Sequence, residues 1–460
     1  VYFGPWDPSG HQVALDFGAH QGQALATTVN RQCPDPTDPN VTVNAAYTGV
    51  SSDEEGARDP RFGGYTYYAP LVLADVGDLD SWIWIQNSGI QCTSLEIWFK
   101  AQDNCLRPIL GDVLSLAPGE SVHFDPNTVV GPGWTGSAWI RGSQPLGVVV
   151  DTMGANHFTS YKGVTGAVDS LGFNLGAQVN YAPLIYSEQQ GWDTAITVQN
   201  MSSTTNARVK AIFLDRSGDV VTTLVDWICP RGANTFFLPT IAGIPGNWVG
   251  SARIESQEWW TPGDPLVDPP RIQSVVTLDK WDDPARTARR EAVAYNAFTE
   301  RTTLDWQLGR GDGTDGSAVL ALPLLAKENR GITSEIAVAN LVAKPGFTDF
   351  ALYLYDQNGL LDNVCEKLNE YQVEYIDLAS WGYIAPHWLG SGVVSAVFWE
   401  HDVFDDQGQF VRNMVGLGAV GVERVGGTLG GGDIPGDESK AWEAFPIYDF
   451  FLEEATPSCP

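Results

Sequence analysis

Apolar and polar residues alternate in short runs along most of this chain. In "GWDTAITVQN" Trp192, Ile196 and Val198 share one face; in "GITSEIAVAN" it is Ile332, Ile336 and Val338; in "GDLDSWIWIQN" it is Leu79, Ile83 and Ile85. A period of two with one apolar face predicts a half-buried strand. The run after each behaves alike: Leu95, Ile97, Phe99; Val209, Ala211, Phe213; Phe350, Leu352, Leu354. Two of these end in turn chemistry, "DRSGD" at Asp215 and "DQNG" at Asp356, as a hairpin requires. Amphipathic stretches of helical period are scarce, so the pattern predicts an all-β protein.

The strands belong to a framework that occurs three times. Pro70, Pro183 and Pro323 each precede an asparagine, Asn87, Asn200 and Asn340, by 17 positions. A W-x-G-S run follows after 47, 48 and 48 positions, at Trp134, Trp248 and Trp388. Each copy then closes with an apolar run ("PLGVVVD", "IQSVVTLD", "NMVGLGAVG") and an aromatic residue, Tyr161, Tyr295 or Trp442. Repeats of this size are whole domains in tandem. Several strands with one apolar face each must pair two sheets, so each copy is expected to be an Ig-like or jelly-roll-type antiparallel β-sandwich. The expected division is an N-terminal extension (1–66), sandwiches over 67–165, 166–300 and 301–445, and a C-terminal tail (446–460). Insertions fall at 258–271 in the second copy and 400–410 in the third. The framework residues read as structural. The proline would block extension at the start of a strand, the asparagine would turn the chain, and the glycine of W-x-G-S would permit close backbone approach.

The pattern Y/L-x-P-L, G-W-x-T-x-I-x-V-Q-N, a D-x-x-G hairpin, then W-x-G-S-A resembles tandem modules of largely uncharacterised secreted and cell-surface bacterial proteins. The likeness covers roughly residues 67–445. It is fullest in the second copy, through Trp192, Thr194, Gln199 and Asn200, whereas the third has Ile332 and Ala339 in place of the Trp and Gln. The resemblance implies an extracellular, non-enzymatic β-module and carries no catalytic residues with it.

Charge narrows the partners. A net charge of -30 and a pI near 4.3 repel phosphate backbones and anionic membranes, so nucleic acid is excluded as an expected partner. No run approaches the ~18 apolar residues of a membrane helix. The opening "VYFGPW" reads as a mature terminus after removal of a signal peptide, or as a trimmed chain. Cys33, Cys92, Cys105, Cys229, Cys365 and Cys459 lack C-x-x-C spacing, which fits disulfides in an oxidising compartment rather than zinc. Cys92 with Cys105 is the favoured pair, since they flank one hairpin, and Cys33 and Cys459 would tie down the terminal segments.

Candidate chemistry is sparse. The chain has no H-E-x-x-H, no G-x-S-x-G and no phosphate loop, so no catalytic residue is assigned and the protein is expected not to be an enzyme. No cofactor is required; Ca²⁺ is the metal that the acidic loops Asp75, Asp78, Asp80 and Asp402, Asp405, Asp406 would suit, with solvated loops as the alternative. "RGD" at 310–312 reads as linker. Asn40 and Asn200 match the N-glycosylation pattern. Trp82, Trp84 and Trp98 fall at outward positions of the first copy and are expected to cluster. Such a patch would take the N-terminal segment, a second subunit or a sugar. The N-terminal segment (11–32) could add a strand to a neighbouring sandwich. These features together point to an extracellular structural protein that assembles with copies of itself into a surface layer, sheath or filament; the alternative is a carbohydrate-binding adhesin that stacks cell-surface glycan on the Trp cluster.

Overall fold

The computed structural model describes residues 28–34, 42–48, 64–102, 105–155, 157–165, 178–258, 269–281, 285–286, 289–299, 319–329, 332–341, 346–400, 402–404, 410–413, 416–425 and 440–446. The protein is all-β, with one short α-helix and three successive β-sandwiches among the described residues. The chain first forms a two-stranded hairpin, β1 (Thr28–Pro34) and β2 (Thr42–Thr48).

Module 1 contains β3 (Tyr65–Ala74), β4 (Asp80–Asn87), β5 (Thr93–Ala101), β6 (Ile109–Leu116), β7 (Ser121–Phe124), helix α1 (Asn127–Val130), β8 (Trp134–Gly142), β9 (Leu146–Gly154), β10 (His157–Lys162) and β11 (Val164–Thr165). Its sheets run β11-β3-β8-β5-β6 and β10-β9-β4-β7. Module 2 contains β12 (Val179–Ser187), β13 (Trp192–Asn200), β14 (Ala207–Leu214), β15 (Val220–Ile228), β16 (Ala233–Phe237), β17 (Trp248–Gln257), β18 (Ile272–Trp281), β19 (Arg289–Asn296) and β20 (Phe298–Thr299). Module 3 contains β21 (Val319–Lys327), β22 (Ile332–Asn340), β23 (Phe347–Asp356), β24 (Gly359–Asn369), β25 (Val373–Asp377), β26 (Trp388–Glu400), β29 (Leu417–Val425), β30 (Lys440–Glu443) and β31 (Phe445–Pro446). A small hairpin, β27 (Asp402–Phe404) with β28 (Phe410–Asn413), fills the insertion that the repeat spacing places after its sixth strand.

Apart from that hairpin, the three modules share one topology. Each has a five-stranded sheet ordered fourth-third-sixth-first-ninth strand and a four-stranded sheet ordered fifth-second-seventh-eighth, all antiparallel. The alternation read from the sequence explains the layering. Ile83, Ile85, Ile196, Val198, Ile336 and Val338 from second strands are buried between the sheets, facing Leu95, Ile97, Phe99, Val209, Ala211, Phe213, Phe350, Leu352 and Leu354 from third strands.

The framework residues hold this topology, and one does so differently from expectation. The prolines do not open a strand or guard an edge. Pro70, Pro183 and Pro323 lie inside the first strand, where its register with the sixth shifts between Ala69/Val72, Ala182/Ile185 and Leu322/Leu325. A bulge leaves backbone unpaired, so a residue without an N–H is tolerated in an interior strand. Asn87, Asn200 and Asn340 are fully buried, and each Nδ2 donates to a carbonyl at or next to the end of the fourth strand: Leu116 at 3.1 Å, Ile228 at 3.0 Å, Leu368 at 3.2 Å. They tie the end of the second strand to the hairpin that follows, and Asn200 is thereby enclosed rather than offered as a glycan acceptor. Gly136, Gly250 and Gly390 sit where an added Cβ would lie 2.2, 2.3 and 2.1 Å from the carbonyl oxygens of Lys100, Leu214 and Tyr355. Only glycine lets the sixth strand come this close to the third.

Candidate interaction surfaces

Successive modules dock by one repeated contact. The outward face of the five-stranded sheet of one module covers the outward face of the four-stranded sheet of the next. Between modules 1 and 2, Tyr68 donates to the Met201 carbonyl at 3.1 Å, Gln199 to Ala138 at 3.1 Å, Ser137 to Arg231 at 2.9 Å, and Lys100 Nζ to Pro230 at 2.9 Å. The Arg231 guanidinium lies over the rings of Tyr68 and Trp139, 4.9 and 5.5 Å from their centroids. Desolvation in this contact pushes the Lys100 ammonium below its ordinary pKa. Between modules 2 and 3, Tyr375 donates to the Gly250 carbonyl at 2.8 Å and Arg216 lies 4.6 Å from its ring centre. Ala337, Ala339, Leu341, Val420 and Val422 of module 3 join the apolar cluster of module 2. The contact is tight: the void lined by Tyr181, Leu214, Ala339 and Tyr371 measures about 10 Å³, too small for an organic ligand.

A disulfide between Cys105 and Cys229, with Cα atoms 5.5 Å apart, staples module 1 to module 2. This overturns the expected Cys92–Cys105 pair: Cys92 is a free, exposed thiol. The loop after β5 points toward the neighbouring module, not back across its own hairpin. Cys365 is also disulfide-bonded. The side chain of Cys33, on β1, and Cys459 lie outside the described residues.

The three tryptophans do not form one patch. Trp82 and Trp84 lie on β4, in the four-stranded sheet, whereas Trp98 lies on β5, in the five-stranded sheet on the other side of the sandwich. The third strand pairs with the fourth and sixth rather than with the second, so its outward residues face the opposite way. Trp98 stacks on Trp139, with centroids 6.0 Å apart and planes 2° from parallel, on the face that meets module 2. Trp82 and Trp84 flank His123, with ring centroids at 5.4 and 5.0 Å. Register places Trp84 at the position of Thr197 in module 2 and Ala337 in module 3, both buried by the preceding module.

The acidic loop of module 1 is occupied by turn bonding. Asp80 Oδ1 accepts from the Asp75 N–H at 2.6 Å and from Asn127 Nδ2 at 2.8 Å, and Asp78 Oδ2 accepts from the Ala155 N–H at 3.0 Å. Among the described residues no group of three or more His, Cys, Asp or Glu is gathered as metal ligands. Asp402 lies on β27 with its side chain outside the described residues, as are Asp405, Asp406, Asn40 and the RGD tripeptide.

A further surface was not recognised from the sequence. The fourth strands β6, β15 and β24 are edges of the five-stranded sheets. Each exposes large apolar side chains: Ile109, Leu110 and Val113 (57% exposed), Val220, Val225 and Trp227 (50%), Leu360 (54%) and Leu361. The signal was present as apolar residues at outward positions, but only the strand order reveals that, among the described residues, they lie on edge strands.

No helix among the described residues is long and apolar enough to cross a membrane. No protein-family model matches the chain, and no curated protein matches it. A solved structure of Bifidobacterium dentium beta-glucuronidase complexed with coumarin-3-O-glucuronide is similar at 12% identity over 60% of this chain and 47% of that one. Its TM-score is 0.13, which carries no argument about fold or activity, and the chain spans less than half of that protein's length.

Proposed function

We propose that the protein is an extracellular structural subunit that assembles with copies of itself into a surface layer, sheath or filament. The observation that carries this reading is the set of three equivalent sheet edges, β6, β15 and β24, each with exposed apolar side chains. An unpaired edge with apolar residues is a template for strand pairing between molecules, and monomeric proteins usually blunt such edges with charge or cover them. Three edges of one kind along a stacked array give a periodic contact of the sort a lattice uses. The inter-module disulfide supports placement in an oxidising compartment. In this reading the protein needs no cofactor and performs no catalysis, and the acidic surface keeps nucleic acid and anionic membranes away.

The test is negative-stain microscopy of the wild type beside a Val113→Lys, Trp227→Lys, Leu360→Lys variant. Ordered polymers from the wild type, lost in the variant, support the reading. Monodisperse wild type at every concentration removes it.

A second reading, a glycan-binding adhesin, is favoured by Trp82 and Trp84 gathered at the His123 ring. Glycan-array binding that disappears in Trp84→Thr, the residue module 2 holds there, would favour it over assembly.

A further inference from the structure

The N-terminal hairpin repeats the last two strands of a four-stranded sheet. In module 1 the seventh and eighth strands place Val150 opposite Tyr161; in module 2, Val276 opposite Tyr295; in module 3, Gly421 opposite Trp442. In the hairpin Val29 lies opposite Tyr47. The local sequences agree. Ala46-Tyr47-Thr48-Gly49-Val50 parallels Ser160-Tyr161-Lys162-Gly163-Val164 and Ala294-Tyr295-Asn296-Ala297-Phe298, and Leu25 precedes Val29 by the interval that separates Leu146 from Val150 and Ile272 from Val276.

Its position agrees as well. β10 packs against β19 and β19 against β30, so the eighth strands of the modules follow one another. β2 packs against β10 and also against β30. The hairpin therefore fills a fourth seat between modules 3 and 1 and closes the row into a ring. Its contact with β10 joins neighbours in sequence, as β10–β19 does. Its contact with β30 joins the two ends of the chain.

Module 3 carries the face that continues the array. Tyr353, Tyr355 and Val393 occupy the register positions that hold Trp98, Lys100 and Trp139 in module 1 and Ile212, Leu214 and Arg253 in module 2, the outward residues of the face that grips the next module. Tyr353 and Val393 form an apolar cluster separate from the core of module 3, and Tyr353 is only 1% exposed.

We propose that the hairpin's seat is exchangeable: the β1–β2 hairpin of a second copy of this chain lies beside β30 and covers the Tyr353–Val393 face of module 3, as module 2 covers the equivalent face of module 1, and joins copies head to tail. Exchange replaces an intramolecular contact by the same contact in trans, the low-cost route of domain swapping; because the two surfaces differ, a donated hairpin leaves its own chain's module 3 face open to the next copy, so the contact propagates head to tail unless two copies exchange reciprocally. Residues 49–64, "GVSSDEEGARDPRFGG", link the hairpin to module 1 and span on the order of 50 Å when extended. The proposal rests on the self-assembly reading but names a surface apart from the fourth-strand edges.

The test uses two full-length variants. Tyr47→Pro breaks the hairpin and leaves only the module 3 face; Tyr353→Glu spoils the face and leaves only the hairpin. Analytical ultracentrifugation below the threshold concentration for edge-mediated polymers is expected to show concentration-dependent oligomers for the wild type, single chains for each variant alone, and a two-chain species for their equimolar mixture. Near-UV circular dichroism checks that both are folded; Val29→Pro and Val393→Lys replace a variant that is not. A mixture that stays at one-chain mass, a variant that oligomerises alone like the wild type, or a wild type that stays monomeric overturns the proposal. Oligomers that persist in both single variants below that threshold would overturn it while leaving assembly through the sheet edges standing.

Discussion

The Tyr295 hydroxyl donates to the Leu184 carbonyl at 2.6 Å and accepts from the Leu184 N–H at 3.3 Å. Tyr161 makes the same pair of bonds with Leu71 in module 1, and burial pushes its hydroxyl far above the ordinary phenol pKa. Each tyrosine reaches from the eighth strand to the residue after the framework proline, where the bulge leaves backbone groups without a ladder partner. The two ends of the repeat are thus joined across the sandwich. Tyr295→Phe leaves a buried N–H and C=O unsatisfied and is expected to cost about 1–3 kcal/mol in urea denaturation. Tyr186→Phe, which removes a part-buried hydrogen bond to Glu335, is expected to cost less.

Gly250→Ala places a methyl group 2.3 Å from the Leu214 carbonyl. Backbone cannot yield as a side chain end does, so the third and sixth strands must separate. The expected loss is about 2–4 kcal/mol. Gly382→Ala, with open space at the site, is expected to leave the midpoint nearly unchanged in the same denaturation series.

The Cys105–Cys229 bridge closes a span of 124 residues. Cys105→Ser with Cys229→Ser is expected to lower stability by about 2–5 kcal/mol and to let modules 1 and 2 separate before either melts. Calorimetry should then resolve an added transition. Non-reducing peptide mapping of the wild type should recover Cys105 joined to Cys229 and Cys92 alkylated without reduction.

Glu374, in the contact between modules 2 and 3, has its carboxyl pushed above the ordinary range, chiefly by burial, then by repulsion from Glu366, with Arg216 opposing. The folded protein therefore holds this proton more tightly than the unfolded chain. The stability it contributes is complete below the unfolded pKa and falls as pH rises through the raised folded value. Glu374→Gln is expected to melt higher than wild type at pH 7, with the difference gone near about pH 3, where the wild-type carboxyl is also neutral. A variant that melts lower at pH 7 would mean that attraction to Arg216 outweighs burial.

What the sequence made legible was periodicity. Alternation placed Ile196 and Val209 between two sheets, and constant spacing made three copies of one module plain. Sheet membership was not legible. A period of two says that Trp98 faces away from Ile97, but not that β5 pairs with β8 rather than β4; that pairing depends on contacts far apart in sequence. The same gap hid the Cys105–Cys229 pair, which joins modules instead of a hairpin. It also hid the bulge at Pro183, because a proline inside a run reads as a strand boundary until a register shift is seen. Trp82 and Trp84 were legible as outward residues. That their positions are the ones modules 2 and 3 use to receive a neighbour emerged only from the register.

The most direct measurement of the central claim, that stacked copies of one sandwich module assemble into an ordered polymer, is negative-stain microscopy of the untagged protein over a concentration series. The expected result is filaments or sheets with a constant repeat that appear above a threshold concentration and vanish when Val113, Trp227 and Leu360 are changed to lysine. Single particles of one-chain size at every concentration would contradict it.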